Sequence, residues 1–156
     1  MARTTSALVQ TILGDDYGPK RDGSLPDLQP YIATAAKMVN RVQTMAAAKV
    51  PARTLSEGPD DADDAKASEA GMLERWLAAY FYAVMDSTYT GRSTEGASGQ
   101  FQAGQQEKGF QGNKYGIAAV AMDYSGCLEN LGKKQRAGAI WLGRYPSQQT
   151  PYDQKS

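Results

Sequence analysis

The chain has 156 residues, 17 basic and 17 acidic side chains, a formal net charge of zero, no His and a single Cys. That length fits one domain, and the missing His removes Ser-His-Asp and Cys-His relays, His-ligated zinc and any histidine pH switch. The lone Cys127 excludes an internal disulfide and a Cys-x-x-Cys site, and zero net charge argues against a dedicated nucleic-acid binder.

In chain order, Thr4 or Thr5 can cap a short helix running to about Leu13, with Gly14 stopping it. Residues 15–29 carry Gly18-Pro19, Gly23 and Pro26 and read as a loop. Pro30 suits the first position of a helix. From there Tyr31, Ala35, Met38, Val42 and Met45 recur at spacings of four and three, predicting an amphipathic helix of about 18 residues that Pro51 ends. Residues 52–60 form a linker with Gly58-Pro59. Asp60, Asp61, Asp63 and Asp64 crowd what reads as the start of the next helix, where carboxylates suit the positive end of its dipole. Met72, Leu73, Trp76, Leu77, Tyr80, Phe81, Val84 and Met85 then step by four, and alanines fill the gaps. The second half is apolar on every side, the mark of a central helix, and the helix is expected to end near Asp86-Ser87.

Residues 88–112 are rich in Gly, Ser and Thr and suit a β-hairpin or extended arm better than a helix. Asn113-Lys114 opens a further helix, Tyr115 to Tyr124, with Ile117, Ala118, Val120, Ala121 and Tyr124 on its expected packing face. Cys127 to Leu131 adds one more turn. Residues 133–156 have two prolines, scattered aromatics and no periodicity, the pattern of an extended tail. The predicted fold is therefore mainly α. It is a small bundle of about four helices over residues 1–132, with a β-hairpin or arm at 88–112 and an extended C-terminal arm at 133–156.

Leu, Ile, Val and Phe make up only about 15% of the chain. The apolar content rests on Ala, Tyr and Met, so part of the burial is expected from neighbouring subunits. Charge is uneven: residues 57–69 hold six carboxylates against one cation, and residues 133–156 hold five cations against one carboxylate. Such asymmetry suits like molecules packed around a ring, or a tail docked on an acidic partner. The longest apolar run, Trp76 to Met85, is about half a bilayer span, and the chain reads as soluble, made in the cytoplasm, with no membrane partner.

The candidate chemistry is sparse. The Asp60–Asp64 cluster lacks the pattern of a calcium loop, so capping is preferred to metal binding. The glycines at 91, 96, 99, 104, 109 and 112 never form a phosphate loop, and Cys127, with no His partner, reads as a small core residue. No cofactor, no metal and no enzymatic activity is expected, because no acid, base and nucleophile set is assembled. In the tail, Lys133, Lys134, Arg136 and Arg144 interleave with Ile140, Trp141, Leu142, Tyr145 and Tyr152. Cations and rings together bind single-stranded nucleic acid, but Trp, Tyr and Arg also mark protein interfaces. The protein interface is preferred, because a free tail has no reason to expose Ile140-Trp141-Leu142.

Three stretches carry a family resemblance: the helix end Glu74-Arg75-Trp76-Leu77-Ala78-Ala79-Tyr80-Phe81, the arm from Arg92 through Glu95 to Phe101, and the helix Tyr115 to Tyr124 leading into the tail. Over roughly residues 5 to 145 the chain resembles the head–tail connector (adaptor) proteins of tailed double-stranded DNA bacteriophages. The resemblance implies a structural virion protein in the neck, in a twelve-fold homo-oligomeric ring beneath the portal, through which DNA passes with weak non-specific contact. Its C-terminal arm would dock on the portal through Lys134, Arg136, Ile140, Trp141, Leu142, Arg144, Tyr145 and Tyr152. Its far side would receive a distal neck or tail protein. Arg92, Glu95, Phe101 and Phe110 would hold the arm against a neighbouring subunit. A stopper or tail-completion protein of the same neck is the alternative within that class. A nucleic-acid-binding accessory protein using the basic tail is the alternative outside it.

Overall fold

A computed structural model describes residues 1–20, 22–85 and 109–132. Helix α1 spans Ser6–Leu13, with the Thr5 hydroxyl accepting from the Leu8 N–H, and a 3-10 turn, Gly14–Asp16, follows it. Helix α2 spans Gln29–Ala47 with Pro30 in its first turn, α3 spans Glu69–Met85, and a second 3-10 turn covers Gly109–Gly112. Helix α4 spans Lys114–Met122, and residues 127–132 form a last short helix, α5. Among the described residues there is no strand, and the elements form a small helical bundle. Most of the expected β-hairpin or arm, and the whole C-terminal tail, lie outside the described residues. Among those residues no helix is long and apolar enough to cross a membrane.

Helix α3 is central, as the all-round apolar surface of its second half predicts: α1, α2 and α4 all pack on it. Tyr82 is buried where α3 meets the first half of the chain, with its ring 5.9 Å from Tyr17 and 5.6 Å, edge-on, from Tyr31. On the other side Tyr80 lies 5.2 Å from Phe110, and Trp76 lies 6.4 Å from Tyr115. Such tilted and edge-on aromatic pairs add to the burial that few aliphatics supply. Cys127 is buried and free, a core residue as expected.

Four expectations are corrected. Helix α2 buries Ile32, Ala35, Val39, Val42 and Ala46, while Tyr31, Met38 and Met45 are half-buried at one edge. Ile32, Val39 and Ala46, which the expected stripe leaves out, lie on the side packed into the core, and Tyr31, Met38 and Met45 pack against its margin. The acidic run does not start α3. Residues 62–67 are bends and turns, and the helix begins at Glu69. The carboxylates make local turns and ion pairs instead: Asp63 Oδ1 accepts from the Ala65 N–H, Asp61 Oδ1 from the Asp63 N–H, and Asp63 pairs with Lys66 at 3.4 Å. Helix α2 ends at Ala47, before Pro51 is reached. Finally, Phe110, expected on an arm that contacts a neighbouring subunit, is 4% exposed in the protein's own core. The C-terminal end of the arm is a 3-10 turn, and it delivers Phe110 onto Tyr80.

Candidate functional site

Two features stand apart from the packed core. The first is a chain of buried charges that straps the N-terminal residues across α3. Glu74 is fully buried in the middle of α3. Its Oε1 accepts from the Arg3 backbone N–H at 2.7 Å and from the Thr4 N–H at 3.2 Å, while Oε2 accepts from Arg3 Nη1 at 3.1 Å. The Arg3 guanidinium continues outward to both oxygens of Glu57, at 2.8 and 3.0 Å, and to Asn40 Oδ1 at 2.8 Å. The bond to Glu57 raises the Arg3 pKa and lowers that of Glu57.

The next residue repeats the arrangement with opposite sign. Arg75, also buried, meets Asp60 at 3.3 Å and Asp64 at 2.7 Å. Asp60 Oδ2 in turn accepts from the Thr4 hydroxyl at 2.6 Å. Burial pushes the Asp60 carboxyl up from its ordinary range, and the Thr4 bond and Arg75 only partly oppose it. The loop can lie this close because Gly71 faces it: a Cβ there would stand 2.8 Å from the Asp60 nitrogen. Ser68 Oγ donates to Gly58 O at 2.6 Å and closes the same contact.

The chemistry of this network is structural. Each carboxylate oxygen of Glu74 is taken by a donor from the N-terminal segment. Among the described residues, no group of three or more His, Cys, Asp or Glu is placed to hold a metal ion. A second ionic contact ties the two ends of the bundle, with Asp16 accepting from Lys114 Nζ at 2.6 Å and from the Tyr115 hydroxyl. Burial works to raise the Asp16 pKa, but these two donors outweigh it and hold the carboxyl below the usual range.

The second feature is the outer face of α4. The sequence assigns Ile117, Ala118, Val120, Ala121 and Tyr124 to packing. The structure keeps only part of that face: Tyr115, Gly116 and Ala119 face the core with Val120 packed against it, Ala118 is half-buried, and Ile117, Ala121, Met122 and Tyr124 are exposed. Gly116 decides the orientation. A Cβ there would sit 1.8 Å from Phe110 O and 2.8 Å from the Tyr80 ring, so only glycine lets α4 approach. Asn113 caps α4 by accepting from the Gly116 N–H at 2.9 Å. Asp123 turns the chain back into α5, accepting from the Ser125 N–H at 3.1 Å and the Leu128 N–H at 2.7 Å. Lys49, just past α2, donates to Ser125 O and fixes that turn.

The outer stripe is 55% exposed at Ile117, 39% at Met122 and 52% at Tyr124. Tyr124 keeps its hydroxyl satisfied by donating to Thr54 O at 2.6 Å, which leaves its ring on the surface beside Glu69. Beyond Lys114, α4 carries no charge.

Lys134, Arg136, Ile140, Trp141, Leu142, Arg144, Tyr145 and Tyr152, and the arm residues Arg92, Glu95 and Phe101, lie outside the described residues. The Arg3–Glu74 and Arg75–Asp60 pairs were not anticipated from the sequence. The available signal is Glu74-Arg75 itself, two adjacent charges inside an otherwise apolar helix. No protein-family model, curated protein or solved structure matches this chain.

Proposed function

We propose that the protein is a structural component of a virion neck, a head–tail adaptor. In this reading it forms a twelve-membered ring between the portal and the distal neck or tail proteins, and DNA passes through the ring. The single observation that carries the reading is the outer face of α4, uncharged beyond Lys114, where Ile117, Ala121 and Met122 stand exposed, with Tyr124 just past the helix end. Contiguous exposed apolar surface marks an interaction site, and α4 is seated on the central α3. The resemblance of the helix at 74–81, the arm and the helix at 115–124 supplies the identity of the partners. Zero net charge suits a ring through which DNA must slide without strong binding.

The C-terminal arm is the proposed portal contact, with Trp141 as anchor and Lys134 and Arg144 steering the encounter. The test is co-sedimentation of the purified protein with portal-bearing heads. The full chain should bind. A chain ending at Gly132 and the Trp141→Ala variant should lose most of the attachment, and Lys155→Ala should lose almost none. Full attachment of the chain ending at Gly132 would exclude the arm as the docking surface. A monomer that ignores heads yet binds duplex DNA, with affinity falling steeply with salt, would overturn the adaptor reading in favour of a nucleic-acid accessory protein.

A further inference from the structure

We infer that, in the free protein, the outer face of α4 is the seat of the chain's own Ile140-Trp141-Leu142. Helix α4 leaves Ile117 and Ala121 exposed in one stripe that begins at Lys114 and runs toward the Tyr124 ring, with Met122 exposed on its flank. The chain turns at residues 123–126 and runs back as α5. It thereby returns to the start of α4. Gly132 lies against Phe110, whose nearest ring atom would be 3.1 Å from a Cβ on Gly132, and Phe110 O lies against Gly116 in the first turn of α4. The tail therefore departs from the N-terminal end of the stripe.

Reach and chemistry both favour the tail as occupant. Eight residue steps lead from Gly132 to Ile140 and can span at most roughly 26 Å. The nine residues of α4 are about 13.5 Å long, so the three apolar side chains can be laid anywhere along the stripe, even after passing around the helix. The tail holds Ile140, Trp141 and Leu142 in succession, while the segment at 86–108 offers only Tyr89 and Phe101, far apart in the chain. Laid from the N-terminal toward the C-terminal end of α4, the tail brings Arg144 to the end where Tyr124 donates to Glu69 at 3.2 Å. A cation beside that carboxylate completes the match. Glu69 is held below the usual carboxylate range by bonds from Ser56 and stays charged at neutral pH.

The contact needs no portal and no second subunit, so it is tested on the isolated full chain, separately from binding to heads. Trp141 emission is taken as the difference between the wild type and Trp141→Phe, which removes the contribution of Trp76. The expected result is blue-shifted, acrylamide-shielded Trp141 emission that is independent of protein concentration. Ala121→Lys, at an exposed position where Lys suits a helix C-terminus, should raise the Trp141 quenching constant several-fold and red-shift the emission. Its helical circular dichroism should be unchanged. Lys37→Ala, on the exposed side of α2, should change neither. In hydrogen exchange, the chain ending at Gly132 should lose protection at residues 117–122 and keep it in α3.

Trp141 emission that is fully quenchable in the wild type would overturn the inference. Shielding that vanishes on dilution would overturn it too, and would assign the stripe to a second copy. Shielding that survives Ala121→Lys would place the apolar tail elsewhere on the molecule.

Discussion

Glu74→Gln removes one charge from the middle of α3 and changes the volume of a fully buried side chain very little. The amide oxygen can still accept from the Arg3 and Thr4 backbone N–H groups, 2.7 and 3.2 Å from Glu74 Oε1. The amide nitrogen then faces Arg3 Nη1, which stands 3.1 Å from Oε2, so donor meets donor. Breaking a buried pair from one side costs about 3–5 kcal/mol. Arg3 retains Glu57 and Asn40, which places the expected loss at the lower end, about 3 kcal/mol. At this chain length that lowers Tm by roughly 6–12 °C. Glu57→Gln breaks a pair with the same arginine, but Glu57 is 57% exposed on its side chain, and the expected loss is under about 1 kcal/mol. Urea denaturation of both variants gives the comparison directly: the midpoint shifts strongly for Glu74→Gln and hardly for Glu57→Gln, with the slope unchanged. Arg3→Ala completes a double-mutant cycle with Glu74→Gln, and a positive coupling between the two is expected. Equal small losses for Glu74→Gln and Glu57→Gln would refute the strap as a structural element.

Other consequences are as direct. Gly116→Ala should cost about 3 kcal/mol or more, because the added Cβ meets Phe110 O at 1.8 Å; thermal unfolding that stays at the wild-type temperature would mean that α4 does not pack as described. Asn113→Ala should cost about 1 kcal/mol through loss of the α4 cap, read as a lowered urea midpoint, with Asn113→Ser restoring most of it. Asp16 has a folded pKa below its unfolded value of about 3.9, so its contribution is present above that value and is lost as pH falls through the lower folded value. Asp16→Asn should therefore lower stability at neutral pH and flatten the acid limb of the stability–pH curve. Asp60 works in the opposite sense: its folded pKa is raised, so ionising it costs stability as pH rises past the unfolded value, and protonation recovers that cost.

The helices themselves were legible because local signals agree with the final packing. Thr5, Pro30 and Asn113 mark starts that the structure uses. The second half of α3, apolar on every side, announced its central place, since such a surface has nowhere else to go. Three matters were decided only in three dimensions. The four aspartates at 60–64 look like a helix start, because a linear pattern cannot show that Arg75 waits on the opposite side of the loop. The strap depends on Arg3 and Glu74, separated by 71 residues. No spacing rule joins residues so far apart, even though two adjacent charges in an apolar helix were there to be noticed. The facing of α4 was read only in part, because a short helix with Ile, Val, Met and three alanines is apolar on both sides. Which side turns inward depends on where a neighbouring backbone can come close, and only the missing Cβ of Gly116 against Phe110 settles that choice. The sequence determined which residues form helices and which helix lies at the centre. Tertiary contact determined which charges pair and which apolar face is left outside, because both depend on atoms brought together from distant parts of the chain.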